Sequence, residues 1–176
     1  MIKRLFPFIC IFISVFIILI TNLSNSTFLI GWDNLLPELD FPLNIKRAIF
    51  SAWQEYQGLG LLAGNAHAAD IPHQIFLFLF SFLIPLNLLR QMYIFIMLLL
   101  GSIGAYLLID QITISKKSNS VNIFPLLGGL FYLFNLSTIQ TFYVPFEPFI
   151  THFAFLPLLL YGLILFLKKP SRKHFY

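Results

Sequence analysis

At the N-terminal end apolar side chains run almost unbroken over 5–20, interrupted only by Pro7 and Ser14. The run is about 16 residues, short of the ~20 that cross a bilayer, but 21–30 adds apolar length. No small-x-small cleavage site follows, so an uncleaved transmembrane helix is expected rather than a signal peptide. A polar stretch comes next. From Pro42 the apolar residues Ile45, Ile49, Ala52, Trp53 and Tyr56 recur at helical spacing, which predicts an amphipathic helix of about 15 residues lying in the membrane interface. Gly58, Gly60 and Gly64 then break the pattern, and a loop carrying Asn65, His67, Asp70 and His73 is expected around Pro72.

The remaining apolar runs cover 75–89, 92–109, 123–139 and 150–167. The first holds Pro85 and is about 15 residues long, a length at which an interfacial or re-entrant helix competes with a true span. Basic residues arbitrate. They cluster as Lys3-Arg4, Lys46-Arg47, Lys116-Lys117 and Lys168-Lys169 with Arg172-Lys173, while Arg90 stands alone. If 75–89 stays on the outer side, every pair except Lys46-Arg47 falls in the cytoplasm, as the positive-inside rule requires. The expected architecture is therefore all-α and polytopic: four spans plus an outer juxtamembrane or re-entrant helix, preferred over five spans, in one transmembrane region. The N-terminus is then cytoplasmic, and 22–90 forms an outer loop.

Composition agrees with a multi-pass protein of the cell membrane. Of 176 residues, 59% are hydrophobic and only 10% charged, and mean hydropathy is +0.86. A net charge of +4 would hint at nucleic acid in a soluble chain, but here the basic residues flank apolar runs and orient them, so lipid rather than nucleic acid is the expected partner. Cys10 is the sole cysteine, which excludes an intrachain disulfide. Gly128-Gly129 and Gly101-x-x-Gly104 fall inside spans, where small residues let helices pack closely.

Signatures of soluble enzymes are absent: there is no P-loop, GxGxxG, HExxH, CxxC or Ser elbow, and the four histidines show no metal-ligand spacing. Carboxylates remain. Five of the seven acidic residues, Asp33, Glu38, Asp40, Glu55 and Asp70, lie in the outer loop, and Glu147 sits in a second outer loop between Pro145 and Pro148, which restrain its backbone. Asp33, between Trp32 and Asn34 soon after an apolar run, belongs near the headgroup plane, where a general base can take a proton from an acceptor hydroxyl. Lys46, Arg47 and Arg90 are candidates for the phosphate of a lipid-linked donor, with ordinary headgroup contact the plainer role. For Glu38 and Asp40 the plainer role is a solvated surface or helix entry.

This order of elements, and the stretch GWDNLLPELDFPLNIKRAIFSAWQEYQGLG in particular, resembles the N-terminal part of GT-C superfamily membrane glycosyltransferases, and more closely that of large bacterial membrane proteins placed there. The resemblance implies transfer of a sugar from a polyprenyl-phosphate or polyprenyl-diphosphate donor on the outer face. It matches Asp33 to the first-loop catalytic carboxylate and Glu147 to the second-loop acidic residue, with Glu38 or Asp40 as alternatives to Asp33. It fixes no cofactor and leaves a divalent metal open. It covers nearly all of this chain but only the first part of such a protein, so the chain is expected to be an incomplete module that works with further spans or subunits. The competing expectation, from a different class, is a non-catalytic membrane subunit or transporter fragment whose acidic loop binds a partner. Span interiors nearly free of ionisable residues count against a transport pathway.

Overall fold

The computed structural model describes residues 2–23, 27–29, 39–50, 52–54, 58–62, 66–113, 123–168 and 170. The protein is all-α and membrane-spanning. Three helices are long and apolar enough to cross a bilayer, and a fourth crossing is made if the bent pair 123–143 is taken as one span. The only strands among the described residues are two residues each. By contacts the chain divides into two compact units, Met1–Leu23 with Ile30–Trp32 and Ile94–Tyr176, and Ser24–Leu29 with Asp33–Tyr93.

The first unit contains α1 (Ile2–Asn22), most of α5 (Leu86–Thr113), α6 (Ile123–Phe134), α7 (Leu136–Tyr143) and α8 (Glu147–Lys168). Pro7, Ile11 and Val15 make one fully buried stripe on α1, because residues four apart share a helix face. Leu5, Ile9, Phe12, Ile13, Phe16, Ile17 and Ile20 point outward, which in a soluble helix would be a fault and in a bilayer is the lipid face. The stripe meets Leu98 of α5 and Leu126 and Leu133 of α6.

Glycines set how closely these helices approach. A Cβ on Gly129 would lie 2.9 Å from the Ser102 carbonyl oxygen and 3.2 Å from Ile11 Cδ1, so α6 rests almost on the backbone of α5. Gly101 leaves room for the Phe153 ring, and Gly104 faces Pro157 and Leu158. The close-packing role expected for both glycine pairs is what the helices use.

Contacts also fix helix direction. Gly101 meets Phe153, Gly104 meets Leu158, and Lys168 Nζ donates to the Gln111 carbonyl at 3.0 Å, so α5 and α8 run parallel. Phe8 packs on Tyr106 and Phe12 on Phe95, so α1 runs antiparallel to both. The start of α1 and the ends of α5 and α8 therefore share one side. Two parallel spans in sequence need one return crossing between them, and α6 with α7, bent by 40°, is the apolar pair long enough to make it if taken as one span. Asn135 organises that bend. Its Oδ1 accepts from Thr138 N at 3.0 Å, capping α7, while its Nδ2 donates to the Tyr132 carbonyl at 2.8 Å, satisfying the end of α6.

In the second unit α2 (Phe41–Ile49) packs on α3 (Ala66–Ala69) and α4 (Ile71–Phe80). The helix expected from Pro42 is real but shorter, at nine residues. It stops before Trp53, which pairs with Leu62 in a minimal antiparallel ladder, β1 (Trp53–Gln54) with β2 (Leu61–Leu62). Gly58 and Gly60 turn that hairpin at φ 58° and 96°, and the Trp53 ring occupies the space where a Gly60 Cβ would be. Turn chemistry thus ended a helix that periodicity alone would have continued.

The segment read as 75–89 is two pieces. α4 has ten residues, about 15 Å at 1.5 Å per residue, too short for a ~30 Å hydrocarbon core. A turn at 81–84 and Pro85 separate it from α5. With 28 residues α5 is about 42 Å long, more than the core needs, and its polar residues Asn87, Arg90 and Gln91 at one end and Asp110 at the other bound an apolar stretch that matches the expected span 92–109.

Candidate functional site

Asp33 and Glu38 lie outside the described residues. Asp40 does structural work: its Oδ1 accepts from Leu43 N at 3.2 Å and caps α2, on which Lys46 and Arg47 occupy the last turn. Basic residues suit that end of a helix, where carbonyls carry partial negative charge. Lys46 is exposed and Arg47 half-buried. Arg90 Nη1 donates to the Leu29 carbonyl, so this guanidinium ties the start of α5 to the incoming chain. Of the proposed cations, Lys46 presents its charge most openly.

Glu147 belongs to the first unit, at the first turn of α8. It is only 7% exposed. Pro145 before it is fully buried, and the Thr151 hydroxyl donates to the Glu147 carbonyl at 2.7 Å. Its side chain belongs to the first turn of a membrane-length helix, the end where backbone N–H groups carry partial positive charge.

A second cluster lies in the other unit. Asp70, at the head of α4, makes no side-chain cap to the backbone. Instead Oδ1 stands 3.0 Å from His73 Nδ1 and Oδ2 accepts from Gln74 Nε2 at 2.7 Å. The His73 ring packs on Tyr93 with centroids 4.6 Å apart, and Tyr93 meets Phe76 edge-on at 5.6 Å. The sequence reading placed Asp70 and His73 in a loop because glycines precede them. The signal it underused is Pro72 in a first turn after an Asp, a helix start that brings residues i, i+3 and i+4 together. Among the described residues no group of three or more His, Cys, Asp or Glu could hold a metal ion.

Comparisons with protein-family models, with curated proteins and with solved structures find no match to this chain.

Proposed function

We propose that the chain works in a GT-C-like membrane glycosyltransferase, transferring a sugar from a polyprenyl-linked donor on the outer face of the cell membrane. The observation that carries this reading is Glu147, a carboxylate 7% exposed at the head of a 22-residue membrane-length helix. Burying a carboxylate is costly, so one held buried at the outer end of a span supports a working role there. In the proposed step Asp33 takes the proton of an acceptor hydroxyl as its oxygen attacks the anomeric carbon. The bond from that carbon to the phosphate oxygen breaks, and the polyprenyl phosphate leaves. Lys46, the most exposed of the candidate cations, would meet that phosphate, and Glu147 would orient a reactant.

Helix direction and charge support one sidedness, with the N-terminus in the cytoplasm. The start of α1 and the ends of α5 and α8 share a side, and Lys3-Arg4, Lys116-Lys117 and Lys168-Lys169 follow those ends in sequence, so that side is cytoplasmic. In a Cys10→Ser background, single cysteines replacing Asn65 and Leu83 are expected to react with an impermeant maleimide added outside intact cells, and one replacing Ser118 is not. Labelling at 118 without labelling at 83 would overturn this orientation.

The activity is tested in membranes of the source cells, with variants made at the native locus and release of polyprenyl phosphate followed from a labelled donor. Glu147→Gln is expected to lower transfer about 10-fold, less than the roughly 10²–10⁴-fold of a general acid or base because the group only orients, with unchanged protein level. Wild-type rates in that variant would remove Glu147 from the mechanism; no transfer by the unaltered membranes would favour a partner-binding subunit.

A further inference from the structure

His73 and Gln74 each present a buried polar atom with no protein hydrogen-bond partner, Nε2 of His73 and Oε1 of Gln74. Gln74 as a whole is 5% exposed and the His73 side chain 14%. Their chemistry is set by Asp70. A carboxylate only accepts, so the proton facing Oδ1 is on His73 Nδ1, and in the neutral imidazole Nε2 is then an acceptor. Likewise the Gln74 atom 2.7 Å from Oδ2 is the donating NH2 group, which makes Oε1 the remaining acceptor. Two acceptors are thus held by one carboxylate, and the imidazole is further fixed against Tyr93, itself 3% exposed.

A purely structural role fits poorly. Each unmet buried acceptor is destabilising, and an Asp that leaves its helix uncapped forgoes a stabilising hydrogen bond. Phe at 73 and Leu at 74 would continue the apolar run IPHQIFLFLF without either cost. An anion is disfavoured beside Asp70, and the described residues offer no metal-ligand set. Two lone pairs call for a ligand that donates.

We propose that Asp70, His73 and Gln74 form a binding site for the uncharged hydroxyl groups of a ligand, which donate to His73 Nε2 and Gln74 Oε1. Such hydroxyls come from a sugar or from a glycerol-type lipid headgroup. The site needs no transfer step and is independent of the glycosyltransferase reading. Its test contains no donor, so the two succeed or fail separately.

The full chain, with 15N-labelled histidine, is placed in phosphatidylcholine nanodiscs, whose headgroup has no hydroxyl. The His73 signals are assigned by their loss in His73→Gln, with the other three histidines reporting an intact fold. Titration with methyl α-glucoside, and separately exchange into phosphatidylglycerol nanodiscs, is expected to move the His73 Nε2 resonance to lower frequency in at least one arm, saturably for the glucoside. The glucoside arm identifies a sugar site and the phosphatidylglycerol arm a headgroup site. Gln74→Leu should weaken the response about 10-fold, the loss of one hydrogen bond. A resonance that ignores both probes, or moves only with ZnCl2, overturns the proposal, and the wild-type titration decides this even if Gln74→Leu does not fold.

Discussion

Sugar transfer in source membranes is expected to fall about 100-fold or more when Asp33 is replaced by Asn, because the substitution keeps size and hydrogen-bonding capacity but removes the basicity on which the proposed step depends. Protein level and insertion should hardly change. The comparison that gives the result meaning is with its acidic neighbours. Asp40→Asn should be near neutral, since Asn caps a helix about as well as Asp and the Asp40 side chain is committed to Leu43 N. Glu38→Gln should also be near neutral if that residue only solvates its loop. Activity retained by Asp33→Asn but abolished by Glu38→Gln or Asp40→Asn would move the base along the loop. Activity retained by every one of these variants, and by Glu147→Gln, would end the carboxylate mechanism.

The largest effect on stability is expected at Gly129. A methyl group there meets the Ser102 carbonyl oxygen at 2.9 Å, and that oxygen is backbone, held inside α5. Relief requires α6 to move away from α5 and α1 together. Gly129→Ala should cost about 1–3 kcal/mol, the range for overpacking, and Gly129→Val more. Gly128 is instructive beside it, because its added Cβ meets only the tip of the Ile109 side chain, which can turn aside. Gly162 has nothing within 4 Å, so Gly162→Ala should be neutral or stabilising by up to ~1 kcal/mol from helix propensity. Cys10 reports the outcome: it packs against the α1 core stripe, and a thiol-reactive dye should reach it at lower temperature in Gly129→Ala than in wild type. Equal midpoints for substitutions at 129 and 162 would contradict the packing described.

Apolar run length and basic clusters made the spans legible. The stretch 92–109 falls within a single helix, α5, which extends beyond it at both ends through Arg90, Gln91 and Asp110. The parallel course of α5 and α8 was not legible, since it rests on which glycine faces which side chain. Pattern misled at Trp53, where helical spacing ran on to Tyr56 although Gly58 and Gly60, at positive φ, turn Trp53–Gln54 back onto Leu61–Leu62. It misled again at His73, because glycines at 58–64 suggested a loop and the Pro72 helix start that follows was given too little weight. Of the proposed site, Glu147 was visible through its flanking prolines, whereas the Asp70–His73–Gln74 cluster depends on a capping residue that turns from backbone to side chains.

The stripe of Pro7, Ile11 and Val15 sets a schedule for biosynthesis. Its cover includes Gly129 and Leu133, made more than a hundred residues later, so at ~5–20 residues per second α1 waits on the order of ten seconds for its partner. In water an uncovered apolar stripe would invite aggregation over that interval. In a bilayer lipid tails cover it at little cost, and α1 can be released sideways early, to be gathered in when α6 arrives.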